Sequence, residues 1–240
     1  MFITVNGYRL YYEKYGEGRP LILLHGNGED HTIFDRALPL LEKRFCCYLV
    51  DSRSHGQSEE GELHYESMAT DMFCFLEMLD LRDTIFYGYS DGGIIGLLLE
   101  LLHPGTLGMM AASGVNLSPE GIEPSFIEEF TEINRKNPDP LITLMLTEPH
   151  IEPEGLENID IPVLLTAGEN DLILPEETMR IAAHLPRAQL VIVKGEDHGS
   201  YIDGSEIMGD LLLAFFETGA IQADPGLYDI RILEKGGRTT

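Results

Sequence analysis

Three side chains of this 240-residue chain have types and surroundings suited to nucleophilic attack on an acyl carbonyl. The first is Ser90, in Gly88-Tyr89-Ser90-Asp91-Gly92. Small residues two places before and after a serine match G-x-S-x-G, a reversal too sharp for side chains at the flanking positions. The five letters alone are a modest signal, because an ordinary turn with a solvated serine can carry them. Their setting is more telling: Ile85, Phe86 and Tyr87 read as a buried strand, and residues 94–102 as a buried helix. Strand, turn and helix in that order lift the hydroxyl clear of a sheet. They also set it at a helix N-terminus, where unpaired N–H groups and the positive dipole end face a developing oxyanion.

A nucleophilic serine needs a base, a group to orient the base, and donors for the oxyanion. The base candidate is His198, in Lys194-Gly-Glu-Asp-His-Gly-Ser200 just past the last core strand. A lone loop histidine is usually a surface residue, but the carboxyl edge of a parallel sheet is where ligands bind. His31, His64, His103, His150 and His184 sit at predicted helix ends or in polar loops and read as structural. The orienting candidate is Asp171, in Gly168-Glu-Asn-Asp171, whose loop follows the preceding strand and should lie beside that of His198. Glu169 competes, but it is nearer the strand end and reads as a solvated carboxylate. The loop after 108–114 offers only Ser113 and Asn116 where a carboxylate would be needed. The order Ser90, Asp171, His198 is the one expected of such a serine in an open sheet. For the oxyanion, the backbone N–H of Asp91 directly follows the nucleophile. A second donor should come from His25-Gly26-Asn27-Gly28: Asn27 N–H, with Gly26 as the adjacent alternative. The His25 imidazole is expected to brace that loop.

The elements that must position these groups can be read in order. Asn6-Gly7 between Phe2–Val5 and Tyr8–Tyr15 is a strong hairpin signal. Continuous apolar runs at 21–25 and Phe45–Val50 suit parallel strands buried on both faces. Helical spacing covers 32–43, with Pro39 an awkward interruption, and 64–79. Strands are predicted at 108–114, 161–167 and 190–193, and helices at 175–185 and 207–216. Alternating strands and helices imply an α/β chain with a mainly parallel, doubly wound sheet and an antiparallel N-terminal hairpin. Residues 116–160, rich in proline and glutamate, break the rhythm. With weak helical pieces at 126–135 and 141–146, they are expected to form a short cap over the sheet's carboxyl edge. The tail, 219–240, offers an edge or intermolecular strand at 227–233, the latter a route to a homodimer, and expected disorder from 234 on.

Composition narrows the class. Sixteen Lys and Arg against 41 Asp and Glu give a formal charge of −25. That field repels phosphate backbones and anionic head groups, so neither nucleic acid nor membrane is an expected partner. No apolar run reaches the ~18 residues of a membrane span. The N-terminal residues lack the pattern of a signal peptide. Three cysteines, two of them adjacent in an apolar run, read as buried thiols of a reducing compartment, hence a cytoplasmic location. The Asp91 side chain and the glutamates around 126–132 raise the expectation of a substrate with a positive end.

Taken together, His25-Gly-Asn-Gly28, Asp51-Ser-Arg-Ser-His-Gly-Gln-Ser58, Gly88-Tyr-Ser-Asp-Gly-Gly93, Gly168-Glu-Asn-Asp171 and Asp197-His198 resemble the α/β-hydrolase superfamily. The likeness runs from about residue 4 to 216. It implies the α/β-hydrolase fold, with residues 1–240 as a single domain carrying the cap. It also implies a structural role for Arg53 and His55, which would fix the loop beside the oxyanion strand. The serine turn is similar to that of small esterases, including those cleaving amino-acid esters. The implied activity is a carboxylesterase-like serine hydrolase acting on a small ester or related acyl substrate through an acyl-enzyme, with no metal or organic cofactor. The same scaffold also runs carbon–carbon bond hydrolysis, lactone opening and perhydrolysis, and can serve as a non-turnover small-molecule receptor. The cap departs from the family pattern in being shorter and more acidic than the usual helical lid.

Overall fold

Asn6 and Gly7 both adopt positive φ, 48° and 88°, which suits the tight turn joining Phe2–Val5 (β1) to Tyr8–Tyr15 (β2) as an antiparallel pair. The computed structural model describes residues 1–222, 224, 226–231, 233–234 and 238–239. β2 continues antiparallel onto Phe45–Val50 (β4). β4 then pairs in parallel with Arg19–Leu24 (β3), and β3 with Thr84–Tyr89 (β5). Leu107–Ser113 (β6), Val163–Gly168 (β7) and Ala188–Val193 (β8) extend the parallel run. Tyr228–Arg231 (β9) closes it as an antiparallel edge strand. The order is β1-β2-β4-β3-β5-β6-β7-β8-β9.

Strands buried on both faces send alternate residues to two cores. Ile22, Leu24, Tyr48, Val50, Phe86 and Met110 pack on one side with Tyr65–Met78 (α2), Asp91–Leu102 (α3) and Pro175–His184 (α6). Leu21, Leu23, Cys47, Leu49, Ile85 and Tyr87 pack on the other, against Leu38–Leu41 (α1) and Ile207–Thr218 (α7). Each fully buried Leu, Ile or Phe is worth about 1.5–3 kcal/mol relative to exposure, so the two layers hold the sheet from both faces. α3 is buried on every side from Asp91 to Glu100, which explains its near-uniform apolar sequence.

The structure departs from the sequence reading at two places. Instead of one helix over 32–43, a 3-10 turn at His31–Phe34 is followed by the short α1. Pro39 lacks an N–H and would clash with the carbonyl four residues earlier, so it is accommodated only in the first turn of a new helix. In the tail, the edge strand expected within 227–233 is β9, with residue 232 outside the described residues. Past 234 the expectation of disorder is corrected where Leu233–Glu234 (β10) pairs antiparallel with Arg238–Thr239 (β11). Such pairing satisfies backbone groups whatever the side-chain polarity. Residues 235–237 and 240 lie outside the described residues. Among the described residues no helix is long and apolar enough to cross a membrane.

The loop Asp51–Ser58 is pinned to both hairpin and helix by buried charge. Arg53 Nε and Nη2 donate to the two carboxylate oxygens of Asp71 on α2 at 2.6 and 2.5 Å, and Nη1 donates to Glu62 O. Asn6 Nδ2 donates to the same carboxylate at 3.0 Å, and the guanidinium lies 4.1 Å from the Tyr8 ring centre. Arg53 and Asp71 are only 3% and 1% exposed, so neither charge can be rehydrated if its partner is lost. Asp71→Ala should therefore cost about 3–5 kcal/mol in a chemical unfolding experiment; a loss below about 1 kcal/mol would contradict the pinning.

Candidate active site

Ser90 sits between β5 and α3 with φ 51° and ψ −114°, a conformation that L-residues rarely adopt. Its backbone is held from both sides: Ser90 N–H donates to Ser113 O at 2.8 Å, while Ser90 O accepts from Gly93 and Ile94 N–H. The flanking glycines are required by contact. A Cβ on Gly88 would stand 2.1 Å from Gly92 O, and one on Gly92 would stand 2.2 Å from Leu24 O. The reversal is thus possible only where those two positions carry no side chain.

The loops after β7 and β8 are laced together. Glu169 N–H donates to Val193 O, Asn170 N–H to Glu196 O, and Gly195 N–H to the Glu169 carboxylate at 2.8 Å. Glu169 is thereby occupied as a loop brace. Asp171 accepts from Gly168 N–H at 3.1 Å and Ile173 N–H at 3.0 Å, which fixes its carboxylate, 3% exposed, in one orientation. Asp197 Oδ1 accepts from Gly199 and Ser200 N–H, turning the chain so that His198 faces inward. The result is a continuous chain of hydrogen bonds. His198 Nδ1 lies 2.6 Å from Asp171 Oδ1, and Nε2 lies 3.1 Å from Ser90 Oγ. An ionised carboxylate only accepts, so the Nδ1 proton faces Asp171 and the Nε2 lone pair faces the hydroxyl.

The three side chains named from sequence therefore meet on one rim. Asn27 and Asp91, named from sequence for their backbone N–H groups, both line the cavity at Ser90, and among the described residues neither N–H donates to a protein acceptor. The alternative donor, Gly26 N–H, is excluded because it donates to Glu29 Oε2 at 3.0 Å. His25 braces the loop as expected, its Nδ1 2.7 Å from Gly26 O and its Nε2 accepting from Ser52 N–H at 3.0 Å. Burial and the neighbouring His55 push the His25 imidazole down to about 4, so it stays neutral in that role. His55 Nδ1 is 2.9 Å from Arg53 O, again a structural contact.

The Asp91 side chain does not face solvent. It is 4% exposed and accepts from Tyr65 OH at 2.7 Å and Asn27 Nδ2 at 3.0 Å. Burial raises its carboxyl above the ordinary range, with those two donors working in the other direction. Asn27 Nδ2 also donates to Leu141 O at 3.1 Å, tying the loop after β3 to the 116–160 segment. That segment folds as Pro124–Lys136 (α4) and Pro140–Thr147 (α5) between two 3-10 turns. Phe126 and Phe130, stacked 4.3 Å apart, and Met145 cover the cavity, whereas Glu128, Glu129 and Glu132 are exposed and do not line it.

The cavity at Ser90 has a volume of about 180 Å³, room for a small organic molecule. Among the walls that sequence reading did not single out are Glu29, Tyr65, Tyr89 and Glu148. Glu148 accepts from Tyr65 N–H at 3.0 Å and contacts His64 Nδ1 at 2.6 Å, anchoring α2 beneath the cavity. Glu29 stands two residues past the glycine-flanked Asn27, and that adjacency is the signal that could have found it. Burial pushes its carboxyl up to about 7.

Residues 19–141 match the family model described as "alpha/beta hydrolase fold", and residues 146–227 match one described as "TAP-like protein". The chain is 25% identical to the AB hydrolase superfamily protein YisY of Bacillus subtilis, covering 86% of this chain and 94% of that one. It is 23% identical to the pimeloyl-[acyl-carrier protein] methyl ester esterase of Vibrio cholerae, over 86% and 97% respectively. Among solved structures, an esterase from Exiguobacterium antarcticum superposes with a TM-score of 0.80 at 20% identity, covering 90% of this chain and 99% of that one. With a model match over half the chain, a mixed nine-stranded sheet and a serine turn at its carboxyl edge, the chain belongs to the α/β-hydrolase fold family of hydrolases.

Proposed function

We propose that the protein is a serine hydrolase that cleaves a small ester or related acyl substrate through an acyl-enzyme, with Ser90, His198 and Asp171 as its catalytic triad. The observation that carries this reading is the unbroken Asp171–His198–Ser90 hydrogen-bond chain, at 2.6 and 3.1 Å, opening on a cavity. As Ser90 Oγ bonds to the acyl carbon, its proton passes to His198 Nε2, and the carbonyl π pair moves onto oxygen. The N–H groups of Asp91 and Asn27 stabilise that oxyanion. Collapse of the tetrahedral intermediate breaks the bond to the leaving alkoxide, which takes the proton from His198. Water then attacks the acyl-enzyme by the same route and returns Ser90 to its hydroxyl form. Asp171 holds the working tautomer throughout and stabilises the transient imidazolium.

The small cavity and its apolar cover of Phe126, Phe130 and Met145 support short, partly apolar esters over long-chain lipids. The esterase named among the relatives supports the same class, and no step needs a metal or organic cofactor.

Two substitutions test the reading on p-nitrophenyl acetate. Ser90→Ala should lower kcat by a factor of about a thousand or more, and unchanged turnover would refute the mechanism. Asp171→Asn should keep the fold but supply a donor where His198 needs an acceptor, lowering kcat at least about a hundredfold at neutral pH. Wild-type kcat in that variant would remove Asp171 from the triad.

A further inference from the structure

Three carboxylates line the cavity at Ser90, and two are already engaged. Asp91 takes the Tyr65 hydroxyl and the Asn27 amide, while Glu148 takes the Tyr65 N–H and contacts His64. Glu29 is different. Its Oε2 accepts from Gly26 N–H at 3.0 Å, and among the described residues no donor reaches Oε1 and no cationic side chain lies within ion-pair distance. The charged or titratable groups that face it are His198, Asp203 and Asp91. It is a half-buried acid beside a nucleophile with no permanent counter-charge.

Its position relative to the chemistry is set by Gly26. The point where a Cβ would stand on that glycine is 2.9 Å from Glu29 Oε2 and 3.2 Å from Ser90 Cβ. Carboxylate and nucleophile therefore stand on either side of Gly26 and line the same cavity, close enough for a single small substrate to reach both. The cavity walls include the rings of Tyr65, Tyr89, Phe126 and Phe130 and, among the described residues, no lysine or arginine. Aromatic faces attract cations, and a chain of net charge −25 enriches them nearby. An anionic group brought there would meet Glu29 with nothing to offset the repulsion.

Building on the serine-hydrolase reading above, we propose that Glu29 is a specificity-determining residue that pairs with a cationic group about two bonds from the scissile carbonyl, so that the favoured substrates are esters of α-amino acids. The ammonium supplies the counter-charge that the protein omits. Burial, with the charges of Asp203 and Asp91 adding to it, holds the Glu29 carboxyl up at about 7; an ammonium in contact brings it back down and keeps it ionised. The exposed glutamates of α4 have no part in this selection.

The test compares alanine methyl ester with methyl propionate, its desamino analogue, in wild type and in Glu29→Gln. Glutamine keeps an acceptor for Gly26 N–H while removing the charge. Each protein yields a ratio of kcat/KM for the two esters, so intrinsic reactivity and any unfolded fraction cancel in the comparison. The expected result is a wild-type ratio at least about tenfold higher than that of Glu29→Gln, carried mainly by KM for the amino ester. A smaller difference overturns the proposal, because a purely structural role would affect both esters alike. Ser90-dependent cleavage of methyl propionate by wild type checks the hydrolase reading separately. Should wild type cleave neither methyl ester while still turning over p-nitrophenyl acetate through Ser90, the specificity proposal fails and the hydrolase reading stands.

Discussion

The backbone reversal at Ser90 is the constraint to which the other parts of the site are fitted. Holding an L-residue at φ 51° and ψ −114° costs on the order of 1–3 kcal/mol. The surroundings offset it: β5 is buried along its whole length, α3 is buried on all sides as far as Glu100, and the Ser90 N–H and C=O are both paired. The close packing of Gly88 on Gly92, and of Gly92 on the end of β3, leaves the chain no relaxed alternative. Strain stored this way gives the hydroxyl one position, to which an imidazole on a separate loop can be matched.

That second loop is matched through the order of the sheet. β7 and β8 are parallel neighbours, so their carboxyl-end loops lie side by side, and Glu169, Asn170 and Gly195 stitch them together. Asp171 and His198, 27 residues apart in sequence, thus behave as one rigid unit. Asn27 does the corresponding work on the other side. Its amide bridges Asp91 and Leu141, joining the loop after β3, the start of α3 and α5.

Much of this was legible because strand-end residues are fixed by topology. Once 21–25, 85–87, 161–167 and 190–193 read as parallel strands, the groups just past them had to share an edge. Ser90, Asp171 and His198, which the fold brings within hydrogen-bond reach of one another, were named by that rule, as were Asn27 and Asp91, which line the same cavity. Side-chain environments were harder to read. Asp91 looked like a free carboxylate at a helix start, yet Tyr65, more than twenty residues earlier on α2, folds over it and donates to it. Glu29 drew no reading from the sequence, because its burial exists only once the cavity closes around it. Pro39 was visible as an interruption, but whether it bends a helix or starts a new one depends on how α1 packs on α7. Periodicity locates elements; it does not say which polar atoms those elements will trap.

The central claim is that one hydroxyl, Ser90, is activated by the imidazole beside it. Mass spectrometry after brief exposure to an alkyl fluorophosphonate tests it most directly, comparing the native chain with His198→Ala. One equivalent of adduct on the peptide carrying Ser90, formed far more slowly in the variant, is the predicted outcome. An adduct on another residue, or equal rates of labelling in both proteins, would contradict the account.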